Sequence, residues 1–140
     1  IKPANIIYNP FTHLVKITDF GVACMTDHRK THSGIILGSP SYMSPEQVTG
    51  QAVDGRSDLF SLSVTTFQLL CGELPYEGES IAALMYNIAH ARPRSLRRLG
   101  PELPLIVTRV LVKGMQKNPD KRYKSGHAMA EAFGRCLDQL

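Results

Sequence analysis

Between Asp58 and Gly72 the sequence runs LFSLSVTTFQLLC, in which Gln68 is the one strongly polar residue. The stretch is shorter than the about 18–20 residues that carry a helix across a bilayer. Gly72 stands where a C′ glycine ends a helix, and Ser57 or Asp58 is suited to cap its start. A helix that is apolar on nearly all sides has to be covered on nearly all sides. The reading is therefore a buried helix from about Asp58 to Cys71, lying at the centre of a domain whose other elements pack around it.

Candidates for that covering follow in the sequence. Ser80 can cap a helix reaching about Ala91. A further helix carries Leu103, Ile106, Val107, Val110 and Leu111 at three- and four-residue steps, and a last one carries Met129, Ala132, Phe133, Cys136, Leu137 and Leu140. Ahead of them, residues 6–8 (IIY) and 14–17 (LVKI) are β-rich, with Asn9-Pro10 and His13 between them, which reads as a hairpin. Antiparallel pairing joins residues whose numbers share a constant sum. A turn centred near residue 12 brings Asn5 toward Asp19. From 22 to 45 the chain is rich in Ser, Thr, Gly, His and Pro without a helical period, and is read as an extended loop of the kind that is usually functional or disordered. The expected fold class is mostly α with one small β-hairpin.

Composition narrows the function. The chain has 140 residues, 43% of them hydrophobic, enough for one domain with a core. A net charge of +4 is compatible with an anionic ligand but too small to imply nucleic acid. The RPRSLRR stretch from Arg92 to Arg98 is either a solvated loop or a phosphate-binding patch, and only the latter would support a nucleic-acid binder. Three well-separated cysteines without a CxxC indicate neither a disulfide framework nor zinc, and point to a reducing compartment. Ile1 is followed at once by Lys, Pro and Asn, so no signal peptide is read.

The residues that carry chemistry gather at the hairpin. Asp19-Phe20-Gly21 follows the second strand, and the pairing sets Asn5 opposite Asp19. A carboxylate and a carboxamide oxygen converging from two strands are hard ligands suited to Mg²⁺. Lys2 lies near the same strand end, where its ammonium could neutralise a transferring phosphoryl group. Taken singly, each is equally a surface-turn residue. His28 and His32 are four apart, but no helix is expected there and no Cys or Glu completes a zinc set. His13, His90 and His127 are isolated.

Lys2-Pro3-Ala4-Asn5, Asp19-Phe20-Gly21, Tyr42-Met-Ser-Pro-Glu46, Asp58-Leu-Phe-Ser-Leu-Ser and Lys117-Asn-Pro-Asp-Lys-Arg-Tyr123 occur in an order and at spacings that cover essentially all 140 residues. In this the sequence resembles the C-terminal lobe of a eukaryotic-like Ser/Thr protein kinase of bacterial type. The resemblance implies a partial kinase domain over 1–140. Its parts are a catalytic-loop remnant at 1–5, a magnesium motif at 19–21, an activation segment at 19–46 and a helical subdomain at 47–140.

The resemblance also implies roles. Asp19 would chelate the Mg²⁺ bridging the ATP phosphates, Asn5 would hold a second Mg²⁺, and Lys2 would contact the transferred phosphate and mark the Ser/Thr class. Ser39 would tie the substrate-docking loop to the catalytic loop. Glu46 and Arg122 would form a buried ion pair, and Asp58 would accept backbone N–H groups from the catalytic loop. Thr31 and Ser33, seven and five residues before Gly38, stand where bacterial relatives tend to be phosphorylated. Phosphorylation there would add about two negative charges able to order the loop. The implied partners are ATP, Mg²⁺ and a Ser/Thr-bearing protein substrate, with a second copy of the kinase for activation-loop phosphorylation, no nucleic acid, and a cytoplasmic location.

Phe60, Ser63 and Ser44 depart from the family's frequent Trp, Gly and Ala, each without loss of a chemical group. The family's His-Arg-Asp triplet would end just before Ile1, and its Gly-rich loop and strand lysine are not in this sequence. The expectation is a partial sequence of a kinase that is inactive alone. The alternative is a non-catalytic pseudokinase or interaction module.

Overall fold

Along the chain a 3₁₀ turn (Pro3–Asn5) leads into β1 (Ile6–Asn9) and β2 (Leu14–Ile17). A second 3₁₀ turn (Pro40–Tyr42) precedes α1 (Pro45–Val48), α2 (Gly55–Cys71), α3 (Ile81–His90) and α4 (Leu105–Gly114). A third (Pro119–Lys121) precedes α5 (Gly126–Leu137). The structure, a computed structural model, describes residues 1–18, 40–96 and 102–138. The expected class, mostly helical with one small hairpin, is the one observed.

Helix α2 is the axis, but it starts a turn earlier than expected. Asp54, not Ser57 or Asp58, is the N-cap, its carboxylate accepting the Arg56 N–H at 2.8 Å. That frees the Ser57 hydroxyl for a buried carboxylate described below. The other end is as read: Gly72 has φ +76° and donates its N–H to the Gln68 carbonyl at 2.8 Å, a conformation that favours glycine. Leu59, Phe60, Val64 and Phe67 of α2 join Ile88 of α3, Val107, Val110 and Leu111 of α4, and Met129, Ala132 and Cys136 of α5 in one core. The covering of α2 is not complete, since Leu69 and Leu70 are exposed.

Small polar residues inside α2 set how closely its neighbours approach. Ser63 turns its hydroxyl back onto the Leu59 carbonyl at 2.7 Å, so it is buried without needing a partner outside the helix. Gly114 of α4 lies against Ser63. A Cβ at 114 would stand 1.9 Å from the Ser63 hydroxyl oxygen, so the two helices meet at that contact.

The remaining caps agree with local chemistry. Ser80 accepts from Ala83 N–H and Ser125 from Ala128 N–H. The amphipathic face of α5 buries Met129, Ala132 and Cys136, whereas Leu137 is exposed. One step past Cys136 turns the side chain about 100° off that face. The expected extended loop up to residue 45 is also corrected where it is described. Residues 40–42 form a 3₁₀ turn, and Ser44 opens α1 with a reciprocal cap shared with Gln47. The hydroxyl at 44 thus supplies a capping acceptor that an alanine cannot.

The hairpin pairs Ile6 with Ile17, Ile7 with Lys16, Tyr8 with Val15 and Asn9 with Leu14. Its turn is closed by the Asn9 side-chain oxygen, which accepts the Phe11 and Thr12 N–H groups at 2.9 and 3.2 Å, and by His13 at φ +54°.

Candidate active site

Pro3 fixes φ at the start of the first 3₁₀ turn, and the Asn5 N–H closes that turn onto the Lys2 carbonyl at 3.0 Å. Across the hairpin, Thr18 donates its backbone N–H to the Asn5 carbonyl at 2.7 Å and its hydroxyl to the same oxygen at 3.4 Å. Asn5 is therefore held through its main chain at both its N–H, by Lys2, and its carbonyl, by Thr18 across the hairpin, and Asp19 is the next residue in the sequence. Asp19, Phe20 and Gly21 lie outside the described residues, as do Thr26, His28, Thr31, His32, Ser33 and Ser39.

Lys2, Pro3 and Ala4 form one wall of a cleft of about 340 Å³; Tyr42, Gln68 and Leu69 form the other. The Tyr42 hydroxyl donates to the Gln68 side-chain oxygen at 2.6 Å, which ties the second 3₁₀ turn to α2 beside that cleft. Ser61 of α2 adds a second tie, donating to the Tyr42 carbonyl at 2.6 Å. Sequence reading missed the Tyr42–Gln68 bridge; its sole signal was one amide in an otherwise apolar helix.

Behind this region, α1 and the segment after the third 3₁₀ turn are locked together. Arg122 donates from Nη1 to Glu46 Oε1 at 2.6 Å and from Nη2 to Oε2 at 2.7 Å, and both residues are 3% exposed. The Ser57 hydroxyl donates to the same Oε1. The remaining guanidinium donors reach the carbonyls of Gln116, Arg56 and Lys117 at 2.7, 3.1 and 3.0 Å. Burial alone would push the Glu46 carboxyl upward, but the hydrogen bonds from Arg122 and Ser57 outweigh it and hold the pKa at about 2. The expected ion pair is present in bidentate form. A buried pair of this kind is secure because no donor or acceptor is left over.

Lys117, which opens the Lys117–Tyr123 motif but was assigned no role from the sequence, sits beside it. Its ammonium donates to the Ile88 carbonyl near the end of α3 and lies 3.9 Å from the centre of the Tyr76 ring. Burial, with the nearby Arg122 charge, lowers its pKa to about 8. Tyr76 in turn stacks on Phe60 at 6.2 Å.

Two further stretches singled out in the sequence lie apart from the cleft. Asp58 lies in the first turn of α2, exposed, with no hydrogen bond to residues 1–5. In the Arg92–Arg98 stretch, Arg94 is taken up by Glu73 and Glu77 at 2.8 and 3.0 Å, so the loop is less basic than its sequence, and Arg97 and Arg98 lie outside the described residues. Among the described residues, no helix is long and apolar enough to cross a membrane.

The protein kinase domain family matches residues 1–133. The chain is 38% identical over 142 aligned residues to the serine/threonine-protein kinase Pkn1 of Myxococcus xanthus, covering 98% of this chain and 20% of that protein. It is 36% identical to the DNA damage-responsive serine/threonine-protein kinase RqkA of Deinococcus radiodurans, over 100% of this chain and 21% of that one. To the serine/threonine-protein kinase PrkC of Bacillus subtilis it is 35% identical, over 99% and 21%. The chain spans about a fifth of the length of these curated relatives.

Proposed function

The chain belongs to the protein kinase family, and on that footing we propose that the protein transfers the terminal phosphoryl group of Mg²⁺-ATP to Ser or Thr side chains of protein substrates. The observation that carries this reading is the clamp at the mouth of the hairpin. With Thr18 bonded to the Asn5 carbonyl, Asn5 lies across the hairpin from the residue that immediately precedes Asp19 in the sequence. A carboxamide and a carboxylate are hard oxygen donors, and the pair fits Mg²⁺. Asn5 and Asp19 would hold the Mg²⁺, whose chemistry there would be neutralisation of phosphate charge.

The chain's own residues do the rest of the positioning. Lys2, across the 3₁₀ turn from Asn5, supplies an ammonium to the oxygens on which charge gathers during transfer. The cleft between Lys2 and Gln68 holds the segment bearing the acceptor hydroxyl, with the Tyr42–Gln68 bridge fixing its far wall. Orientation of this sort accounts for most of the rate in a reaction that asks little covalent chemistry of the protein. Thr31 and Ser33 are the sites at which a second copy of the kinase would phosphorylate the activation segment, and Ser39 joins that segment to the catalytic loop. In this reading the domain works in the cytoplasm, where ATP and reduced cysteines are found together.

The test is Asp19→Ala in the full-length protein, assayed with radiolabelled ATP and a generic protein substrate. Transfer is expected to fall to background while the far-ultraviolet circular dichroism stays unchanged. Retained turnover would overturn the magnesium assignment.

A further inference from the structure

One face of α4 lines a pocket that phosphoryl transfer does not use. Thr108, Leu111 and Val112 of α4, and Met115 at its end, follow one another at three- and four-residue steps and so share that face. With Phe67 of α2 and residues 93–96 they bound a space of about 160 Å³. Phe67, Leu96, Leu111 and Met115 are buried and make its apolar lining, while Val112, 42% exposed, stands at the mouth. The outer wall is pinned at both ends. Arg94 donates its backbone N–H to the Pro75 carbonyl at 2.9 Å and its guanidinium to Glu73 and Glu77, and Leu96 is 3% exposed. Walls held before a ligand arrives cost little to order when it binds.

One hydroxyl sets the chemistry of this pocket. Ser63 and Thr66 of α2 turn their hydroxyls onto the carbonyls four residues earlier, at 2.7 and 2.9 Å. The Thr108 hydroxyl oxygen is buried and has no hydrogen-bond partner among the described residues. Pro104, four residues earlier, has its carbonyl engaged by the Val107 N–H at 3.0 Å. A buried hydroxyl left in this way is a cost that a ligand's polar atom removes, and it can both donate and accept. Arg94, the charged residue of the lining, already has its charge met by two carboxylates. An ionised ligand would lose its hydration here without gaining a counter-charge. Size narrows the class further. An apolar cavity of about 150 Å³ admits a benzene-sized molecule, whereas drug-sized ligands occupy pockets of about 300 Å³ or more.

We propose that this pocket binds a small, neutral, single-ring aromatic molecule carrying one hydroxyl, a phenol in class. Its ring packs on Phe67 and Leu111, and its hydroxyl bonds to Thr108. Phe67 immediately precedes Gln68, so a ring seated there lies one residue along α2 from the bridge that holds Tyr42 beside the Lys2 cleft.

The experiment follows the fluorine NMR signal of 4-fluorophenol, and separately of 4-fluorotoluene, titrated with the full-length protein. No nucleotide or turnover is needed, so the result stands apart from the fate of the phosphoryl-transfer reading. The phenol is expected to bind about fivefold more tightly than the toluene, which has the same ring and nearly the same size but no hydroxyl. Thr108→Val removes the protein's hydroxyl at nearly constant volume and is expected to bind the two probes equally. Val112→Phe places a ring at the mouth from an exposed position and is expected to weaken both probes by about tenfold or more. Equal binding of the two probes by the unsubstituted protein, a preference that survives Thr108→Val, or binding undiminished by Val112→Phe would overturn the proposal.

Discussion

Asn5 stands at the end of a two-stranded ladder whose side chains face outward. Along it Ile7, Tyr8, Leu14, Val15 and Ile17 are exposed, and Phe11 at the turn is 93% exposed. Arg122 is 3% exposed and every donor of its guanidinium is engaged, by a carboxylate 76 residues away in sequence and by three main-chain carbonyls. One region is held by a few backbone hydrogen bonds, the other by a network without spare capacity. The part assigned to chemistry is thus the lightly fastened part, carried on a base whose geometry has no slack. Such a division is expected where ligands and solvent must reach a site that the rest of the fold aims.

The contrast can be broken most forcefully at the base. Arg122→Ala leaves Glu46 buried without its partner and is expected to cost about 3–5 kcal/mol in urea denaturation. The acid limb of the same pair has a definite sign. Glu46 has its pKa depressed from 4.5 to about 2, so its contribution is present above 4.5 and is lost as pH falls toward 2.

Lys117 makes the alkaline counterpart. Its pKa is depressed from 10.5 to about 8, so between those values the unfolded chain binds more protons and stability rises with pH. The gain, about 2 kcal/mol by linkage, should be visible in thermal melts from pH 7.5 to 10 and absent from Lys117→Met.

Smaller effects sharpen the comparison. Tyr76→Phe removes a buried hydroxyl with no partner and is expected to stabilise the protein by about 1 kcal/mol in the same denaturation assay. At the hairpin tip, Phe11→Ser should change stability by less than about 0.5 kcal/mol. A larger loss would mean that the hairpin is more firmly fastened than its exposure indicates.

What could be read from the sequence follows the range of the forces involved. Helix α3 was legible at both ends because Ser80 is a local cap and the apolar steps are local. The hairpin register was legible to within a residue, since it depends only on where the chain turns; its pairs share a centre between residues 11 and 12. The Glu46–Arg122 pair came from motif resemblance, because nothing local links two residues so far apart. Helix α1 was missed although Ser44 and Gln47 form a recognisable reciprocal cap, since four residues give too short a period to detect. The start of α2 moved because Asp54 competes with Ser57 and Asp58 as a cap, and the Ser57 hydroxyl is drawn to Glu46 by tertiary packing. Lys117, Tyr76 and the pocket beside Thr108 were invisible for the same reason: a lysine under an aromatic ring and a pocket walled by three separate segments are defined by neighbours distant in sequence.

The contact between Ser63 and Gly114 bears on how this sequence can evolve. Where the family often has glycine, this chain has a serine whose hydroxyl occupies the space that a side chain at 114 would need. The two positions divide one fixed volume, so neither can be judged alone. While serine stands at 63, a side chain at 114 forces the Ser63 hydroxyl from its place on the Leu59 carbonyl; with glycine at 63, alanine at 114 meets no such obstacle. The two positions are therefore coupled rather than additive, and the order in which two such substitutions arise decides how much packing the intermediate must rearrange.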